Sequence, residues 1–362
     1  MTRAPFSDLA AKVVEDEVPR PSPATPPSSA PDYRILFVHN GRTRFIDLDR
    51  DLLASRHRVT ELQLASKRMH LIRVVREVWS HDLVFGWFAS WHTFFPMLAA
   101  RILGKPSVLV IGGYDLANLP EIGYGHQRGG IKKHVSRRTM KLASRLVTNS
   151  CFSRREAIGN AGIEGARVSV VYHGLPDEVG SLPRTPRSPM ALTVGNVDRA
   201  NLSRKGIETF VRAAAHLPEI EFVVAGRWKD DAIRHLEDIA SKNVAFKSRV
   251  TEEELRALYS HASVYVQPSR HEGFGMSVAE AMLAGCVPVV TRAGALPEVV
   301  GDQGIYVDAE PRAVATAVSR ALSWNDEARH AIRQRILDRF PVERRRFELE
   351  ALVSELKASR TS

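Results

Sequence analysis

A chain of 362 residues is longer than one ordinary core needs and suits two domains of about 150 residues each. With 44% apolar and 25% charged residues it is a globular chain rather than a disordered one. The net charge of +10 suits anionic partners (nucleotides, phosphosugars, nucleic acid, an acidic membrane face), or it serves solubility alone. The two cysteines, Cys151 and Cys286, lie in different halves. They exclude a disulfide framework, a CxxC motif and a cysteine zinc site, and suit a reducing cytosol.

The first twenty residues are acidic and lack an apolar core, so no secretory signal is expected. Six prolines in "PRPSPATPPSSAPD" (19–32) predict a disordered or polyproline-like tail over residues 1–32. A regular alternation follows. "RILFVHN" (34–40) reads as a buried strand and 44–54 as a helix; "LVFGWF" (83–88), "SVLVIGG" (107–113), "LVTNS" (146–150) and "VSVVYHG" (168–174) read as further strands. The uncharged run 83–100 is interrupted by Gly86, His92 and Pro96, and divides into a strand and a helix over 90–103 better than it spans a bilayer. "RGGIKKHVSRRTMKLASRL" (128–146) is a basic, helix-like stretch that suits either a solvated face or an anionic lipid surface. No aromatic or groove-reading element accompanies it, so nucleic acid is not expected as a partner.

"GSLPRTPRSPM" (180–190) breaks the alternation and is the linker candidate. Beyond it strands are expected at 191–195, 221–226, 243–247 and 263–267, with helices at 206–217 and 252–262; Thr251 and Glu254 form a capping-box pattern for the last. The expectation is an α/β chain of two doubly wound parallel-sheet domains, residues 33–182 and 190–340. Such sheets bind ligands beyond the carboxyl ends of their strands, so two facing each other would make a cleft.

"SRHEGFGMSVAE" (269–280) carries the chemistry. It reads as a loop feeding a helix that stops at Gly285. The loop brings Glu272 to the top of the sheet, and the helix start presents amides and a dipole that favour a phosphate. Gly273 and Gly275 let the backbone approach a ligand. Eight helical residues span about 12 Å, more than the roughly 5 to 9.5 Å between paired glycosidase carboxylates. Glu272 and Glu280 with amides between them therefore suit an extended ligand with hydroxyls at both ends, as in a nucleotide sugar. The competing reading makes Glu272 a solvated loop acid and Glu280 a surface helix residue. "DLDRD" (47–51) contains two DxD triplets but lies in a charged helix-like segment without a preceding strand, so no metal site is assigned.

"HEGFGMSVAEAMLAGCVPVVTRAGALPEVV" resembles the E-x7-E segment of the retaining family-4 glycosyltransferases (glycosyl transferases group 1), which have the GT-B fold of two Rossmann-like domains. The resemblance runs through 191–306 with "RKG" (204–206), "EFVVAG" and "GALPEVVG", and more loosely through "RILFVHNG", "VLVIGGYD" and "VVYHG" before it. It implies that Glu272 contacts the donor sugar and that the amides of Gly273, Phe274, Gly275 and Met276 meet sugar and diphosphate. Glu280 would hold the ribose, Lys205 with Arg204 the diphosphate, and the backbone near Arg249 and Val250 the base. Asn40 and Gly41 would close over the phosphates, and the last helix, 343–362, would pack back on the first domain. The implied donor is a UDP-sugar or GDP-mannose as co-substrate, with no cofactor and no metal. The implied acceptor is a saccharide or lipid-linked hydroxyl in polysaccharide or glycolipid assembly. The protein would be cytoplasmic, with peripheral contact to an anionic inner membrane face.

Two positions depart from the family. Gly195-Asn196 stands where it often has Gly-Arg, leaving Arg199 or Arg204 to supply the cation. Gly112 stands where many members have His, which leaves the roles of His39, His126 and His173 open. Two alternatives follow: a catalytically silent sugar-nucleotide-binding protein, and a GT-B epimerase, which the E-x7-E segment disfavours.

Overall fold

The computed structural model describes residues 33–65, 71–178 and 187–361. The expected tail, 1–32, and residues 180–186 of the linker candidate lie outside the described residues. The described residues form two units by contact, one holding residues 33–174 and 342–361, the other Leu175–Pro341.

The first unit runs β1 (Arg34–His39), α1 (Arg44–Ala54), β2 (Arg58–Gln63), α2 (Leu71–Ser80), β3 (Leu83–Trp87), α3 (Trp91–Ile102), β4 (Ser107–Ile111), α4 (Gly130–Leu142), β5 (Arg145–Thr148), α5 (Cys151–Gly159) and β6 (Val168–Val170). The second follows with β7 (Ser188–Val194), α6 (Arg199–Arg204), α7 (Ile207–Ala213), β8 (Glu221–Ala225), α8 (Ala232–Ile239), β9 (Val244–Lys247), α9 (Glu252–His261), β10 (Ala262–Gln267), α10 (Met276–Leu283), β11 (Val287–Val290), α11 (Leu296–Val300), β12 (Ile305–Tyr306), α12 (Pro311–Leu322) and α13 (Asp326–Arg339). The last helix, α14 (Val342–Thr361), returns to the first unit.

The first sheet has the order β2-β1-β3-β4-β5-β6 and the second β12-β11-β10-β7-β8-β9, with every pairing parallel. Parallel sheets covered on both faces need apolar residues at successive positions, which is why "LVFGW" and "SVLVI" are buried throughout. β2 has no counterpart in the sequence reading. It is an edge strand with only Leu62 fully buried, so it carries no apolar run.

In the first unit the two sheet faces build separate cores. Leu36, Val38, Val84, Leu109 and Ile111 point toward α2 to α5 through Val74, Met97, Met140 and Ala157. Ile35, Phe37, Phe85, Val108 and Val110 point the other way. On that second face α1 supplies Ile46 and Leu53, and α14 supplies Leu349, Leu352, Val353 and Leu356. Asp49 of α1 and Arg345 of α14, both fully buried, fasten the pair with Oδ2 accepting from Nη2 at 2.7 Å. One member of the DxD triplets is therefore a structural anion. In the second unit the capping box at α9 is present, Thr251 Oγ1 accepting from the Glu254 amide and Glu254 from the Thr251 amide.

Candidate active site

In an open parallel sheet the crevice lies where the strand order reverses, beyond the carboxyl ends. In the second sheet that point is between β7 and β10, which pair side by side. The loop after β7 leads into α6, and Arg204 and Lys205 stand at the end of that helix. The loop after β10 carries Glu272 and enters α10. Topology thus brings together residues 68 positions apart.

Three groups converge on one oxygen of Glu272. Arg204 Nη1 and Lys205 Nζ each lie 3.5 Å from Oε1, and the Ser269 hydroxyl donates to it at 3.4 Å. The Glu272 side chain is only 11% exposed. Burial pushes its carboxyl up, but Lys205 and Arg204 beside it outweigh that and hold it below the usual carboxylate range. Arg204 is fixed in turn: its Nε and Nη2 donate to Asn201 Oδ1 at 3.1 and 2.6 Å, and Nη1 to the His271 carbonyl at 3.2 Å. Arg199 is turned to Asp231, with Nη2 to Oδ2 at 2.7 Å. Of the two cations considered for the position beside Asn196, Arg204 is the one at the carboxylate.

The loop is clamped from both sides. On one side the Arg270 amide donates to the Arg204 carbonyl at 2.8 Å. On the other the Ala295 amide donates to the Glu272 carbonyl at 2.9 Å, and Thr291 Oγ1 to the Ser269 carbonyl at 2.5 Å. Gly206 and Gly294 make these approaches possible. Both have left-handed backbone (φ 71° and 64°), and a Cβ would stand 2.3 Å from the Pro268 carbonyl oxygen and 2.1 Å from that of Glu272.

The remaining predicted residues are placed as follows. Gly273 is half-buried; Phe274 is buried against Phe340, edge to face at 5.3 Å between centroids. Gly275 precedes the first turn of α10, which Met276 opens. Glu280 lies on the same helix, and its Oε2 accepts from the Tyr259 hydroxyl at 3.1 Å. Burial, then the charge of Glu280, drives the Tyr259 phenol well above its ordinary range, so it stays a donor to that carboxylate. Arg249 and Val250 follow β9; Arg249 is exposed and held at φ 54°, a conformation that costs a non-glycine residue of order 1–3 kcal/mol. Asn40 and Gly41 belong to the other unit, just past β1, where His39 Nδ1 lies 3.0 Å from the Gly41 carbonyl.

The three histidines left open also lie in the first unit. His39 is buried beside Glu61, at 3.4 Å. His173 stacks on Trp87, and burial, with Arg345 nearby, holds it well below its ordinary value. His126 meets Tyr114 edge-on and is lowered by burial. Sequence reasoning missed Ser269, Tyr259 and Asn201. Ser269 sits in the quoted loop and Tyr259 inside a periodic helix, while Asn201 lies in a helix of six residues with no periodicity to read.

A buried carboxylate bracketed by two cations, beside a helix start at the switch point of a parallel sheet, offers acceptors to hydroxyls and positive charge to an anion. Residues 188–323 match the model of the family Glycosyl transferases group 1. That match covers the whole carboxylate site. Among relatives, the O-antigen chain mannosyltransferase B of Escherichia coli is 28% identical over 216 residues, 52% of this chain and 55% of that protein. The alpha-galactosylglucosyldiacylglycerol synthase of Streptococcus pneumoniae is 30% identical over 186 residues, 46% of this chain and 48% of that one. The chain spans about half the length of these curated relatives. Among solved structures, Anabaena HepE in complex with UDP-glucose superposes with a TM-score of 0.72 at 17% identity, over 89% of this chain and all of that one. The fold is GT-B: two Rossmann-like units, each with a six-stranded parallel sheet.

Proposed function

We propose that the protein transfers a sugar from a nucleoside-diphosphate sugar to a hydroxyl acceptor with retention of anomeric configuration. The observation that carries this reading is the convergence of Arg204, Lys205 and Ser269 on Glu272 at the switch point of the second sheet. Cleavage of the donor leaves negative charge on the β-phosphate. Arg204 and Lys205 are fixed cations that would stabilise that charge, and preorganised groups of this kind are worth about 10²–10³ in rate apiece. The amides that open α10 add partial positive charge for the diphosphate. Glu272, held below the usual carboxylate range, would accept hydrogen bonds from sugar hydroxyls, and Glu280, hydrogen-bonded by Tyr259, would hold the ribose. With two side-chain cations at the leaving group the reaction is assigned no metal and no cofactor.

A UDP-sugar or GDP-mannose is the donor class supported by the relatives, since HepE is seen with UDP-glucose and the Escherichia coli relative is a mannosyltransferase. The acceptor is assigned as a saccharide or lipid-linked hydroxyl in polysaccharide or glycolipid assembly. The protein is assigned to the cytoplasm with peripheral contact to an anionic membrane; no helix among the described residues is long and apolar enough to cross one.

The test is calorimetric titration of UDP, GDP and ADP with EDTA present, followed by donor turnover and the product's anomeric configuration. One nucleotide is expected to bind well above the other two. Glu272→Ala should lower transfer by at least about 10²-fold with melting unchanged. Binding without turnover would favour the silent sugar-nucleotide-binding alternative, and normal transfer by Glu272→Ala would remove this site.

A further inference from the structure

Helix α2 has an apolar face wider than the protein covers. At about 100° per residue, Val74, Val78, Leu71, Val75, Trp79 and Ile72 form one continuous arc of about 160°, with Arg73, Arg76, Glu77 and Ser80 opposite. Only Val74 and Val78, at one edge of that arc, are buried. The rest faces outward: Ile72 is 87% exposed, Trp79 68%, Leu71 48% and Val75 47%. Isolated apolar residues on a surface are ordinary, but a contiguous stripe on one helix is not.

The surroundings indicate what covers it. Helices α2, α3 and α4 pack on the same face of the first sheet. Together they carry eight lysines and arginines and one carboxylate, Glu77. Each helix runs from the carboxyl to the amino ends of the parallel strands, so Trp79 at the end of α2 and the exposed Arg101 and Ile102 at the end of α3 lie at the same end of the sheet. On α4 the exposed Ile131 adjoins Lys132, and Arg138 and Lys141 are exposed along its length. Cations beside an apolar, tryptophan-bearing helix face match an interface of acyl chains beneath anionic headgroups.

We infer that α2 docks the protein on an anionic bilayer, with Leu71, Ile72, Val75 and Trp79 entering the headgroup–acyl boundary and the cations of α3 and α4 resting on the lipid phosphates. This moves the membrane contact expected of the basic segment 128–146 onto an apolar helix, with the basic segment as its electrostatic support. It needs neither donor nor acceptor, so its failure leaves the transfer reading untouched.

The experiment is flotation of the full chain with vesicles of phosphatidylcholine, with and without phosphatidylglycerol, in low and high salt. The chain should float with the anionic vesicles and bind the neutral ones much more weakly. The Ile72→Ser/Trp79→Ser variant, with an unchanged melting temperature, should bind at least about tenfold more weakly, because its apolar contact is gone. Lys132→Glu/Lys133→Glu should weaken binding and reduce its salt dependence. Absence of flotation with either vesicle overturns the inference and leaves the face to a protein partner. Binding that Ile72→Ser/Trp79→Ser leaves unchanged overturns it as well.

Discussion

Glu272 and Asp49 are both acids in near-complete burial, each facing arginine, and they do different things. Asp49 and Arg345 are closed on each other with no exposure at all, and Arg345 also donates to the Val171 and Tyr172 carbonyls at 2.9 Å. Removing one partner of such a pair strands a buried charge. Asp49→Ala should therefore destabilise the first unit by about 3–5 kcal/mol, read as a fall in its denaturation midpoint with the transition of residues 175–341 unchanged. Glu272 instead shares two cations that an incoming anion can recruit. A second titration follows from His92, whose Nε2–H donates to the Trp87 carbonyl at 2.7 Å and which burial lowers to about 4. Its folded value lies below the unfolded one near 6.5. The stability it contributes is thus present above about pH 6.5 and lost as pH falls toward 4, amounting to roughly 3 kcal/mol. The advantage of the wild type over His92→Gln should shrink across that window in melting curves.

Among elements, the loop 268–275 is held by hydrogen bonds from its two neighbours, through backbone amides and the Arg204 and Thr291 side chains, rather than by its own sequence. The left-handed Gly294 sits where a methyl group would collide with the Glu272 carbonyl. Gly294→Ala should displace the loop, lower stability by about 1–3 kcal/mol, and reduce transfer while leaving the second unit folded; circular dichroism and turnover together check this. The motif "HEGFG" is legible because glycines beside an acid at a helix start have a local meaning. The role of "GALPEVVG" as the clamp behind it is not legible, since the contact crosses from one strand end to the next. α2 shows the same limit in reverse. Its periodicity is local, but which part of its apolar arc the sheet covers is decided by where the sheet lies.

At the scale of the whole molecule, the first unit is assembled from two distant pieces of chain. α1 is too short to cover its sheet face alone, and α14 completes it. Its four buried side chains on that face are worth up to about 6–12 kcal/mol, comparable with the whole stability of a domain. Ending the chain at Pro341 should accordingly abolish the first unit's cooperative transition in calorimetry while that of residues 175–341 persists.

What the sequence determined by itself is what neighbours within a few residues decide. Apolar runs of five or six gave the strands, alternation gave the two sheets, the Thr251–Glu254 pattern gave a helix start, and Glu272 with the glycines after it marked the loop that enters α10. Tertiary structure alone decided that Arg204 rather than Arg199 meets Glu272, that Tyr259 orients Glu280, that Asp49 pairs with Arg345, and that α2 leaves four of the six residues of its apolar face uncovered. Those contacts join residues from 21 to 296 positions apart. The order of strands in the sheets sets them, and that order is a property of the closed fold, not of any local stretch of chain.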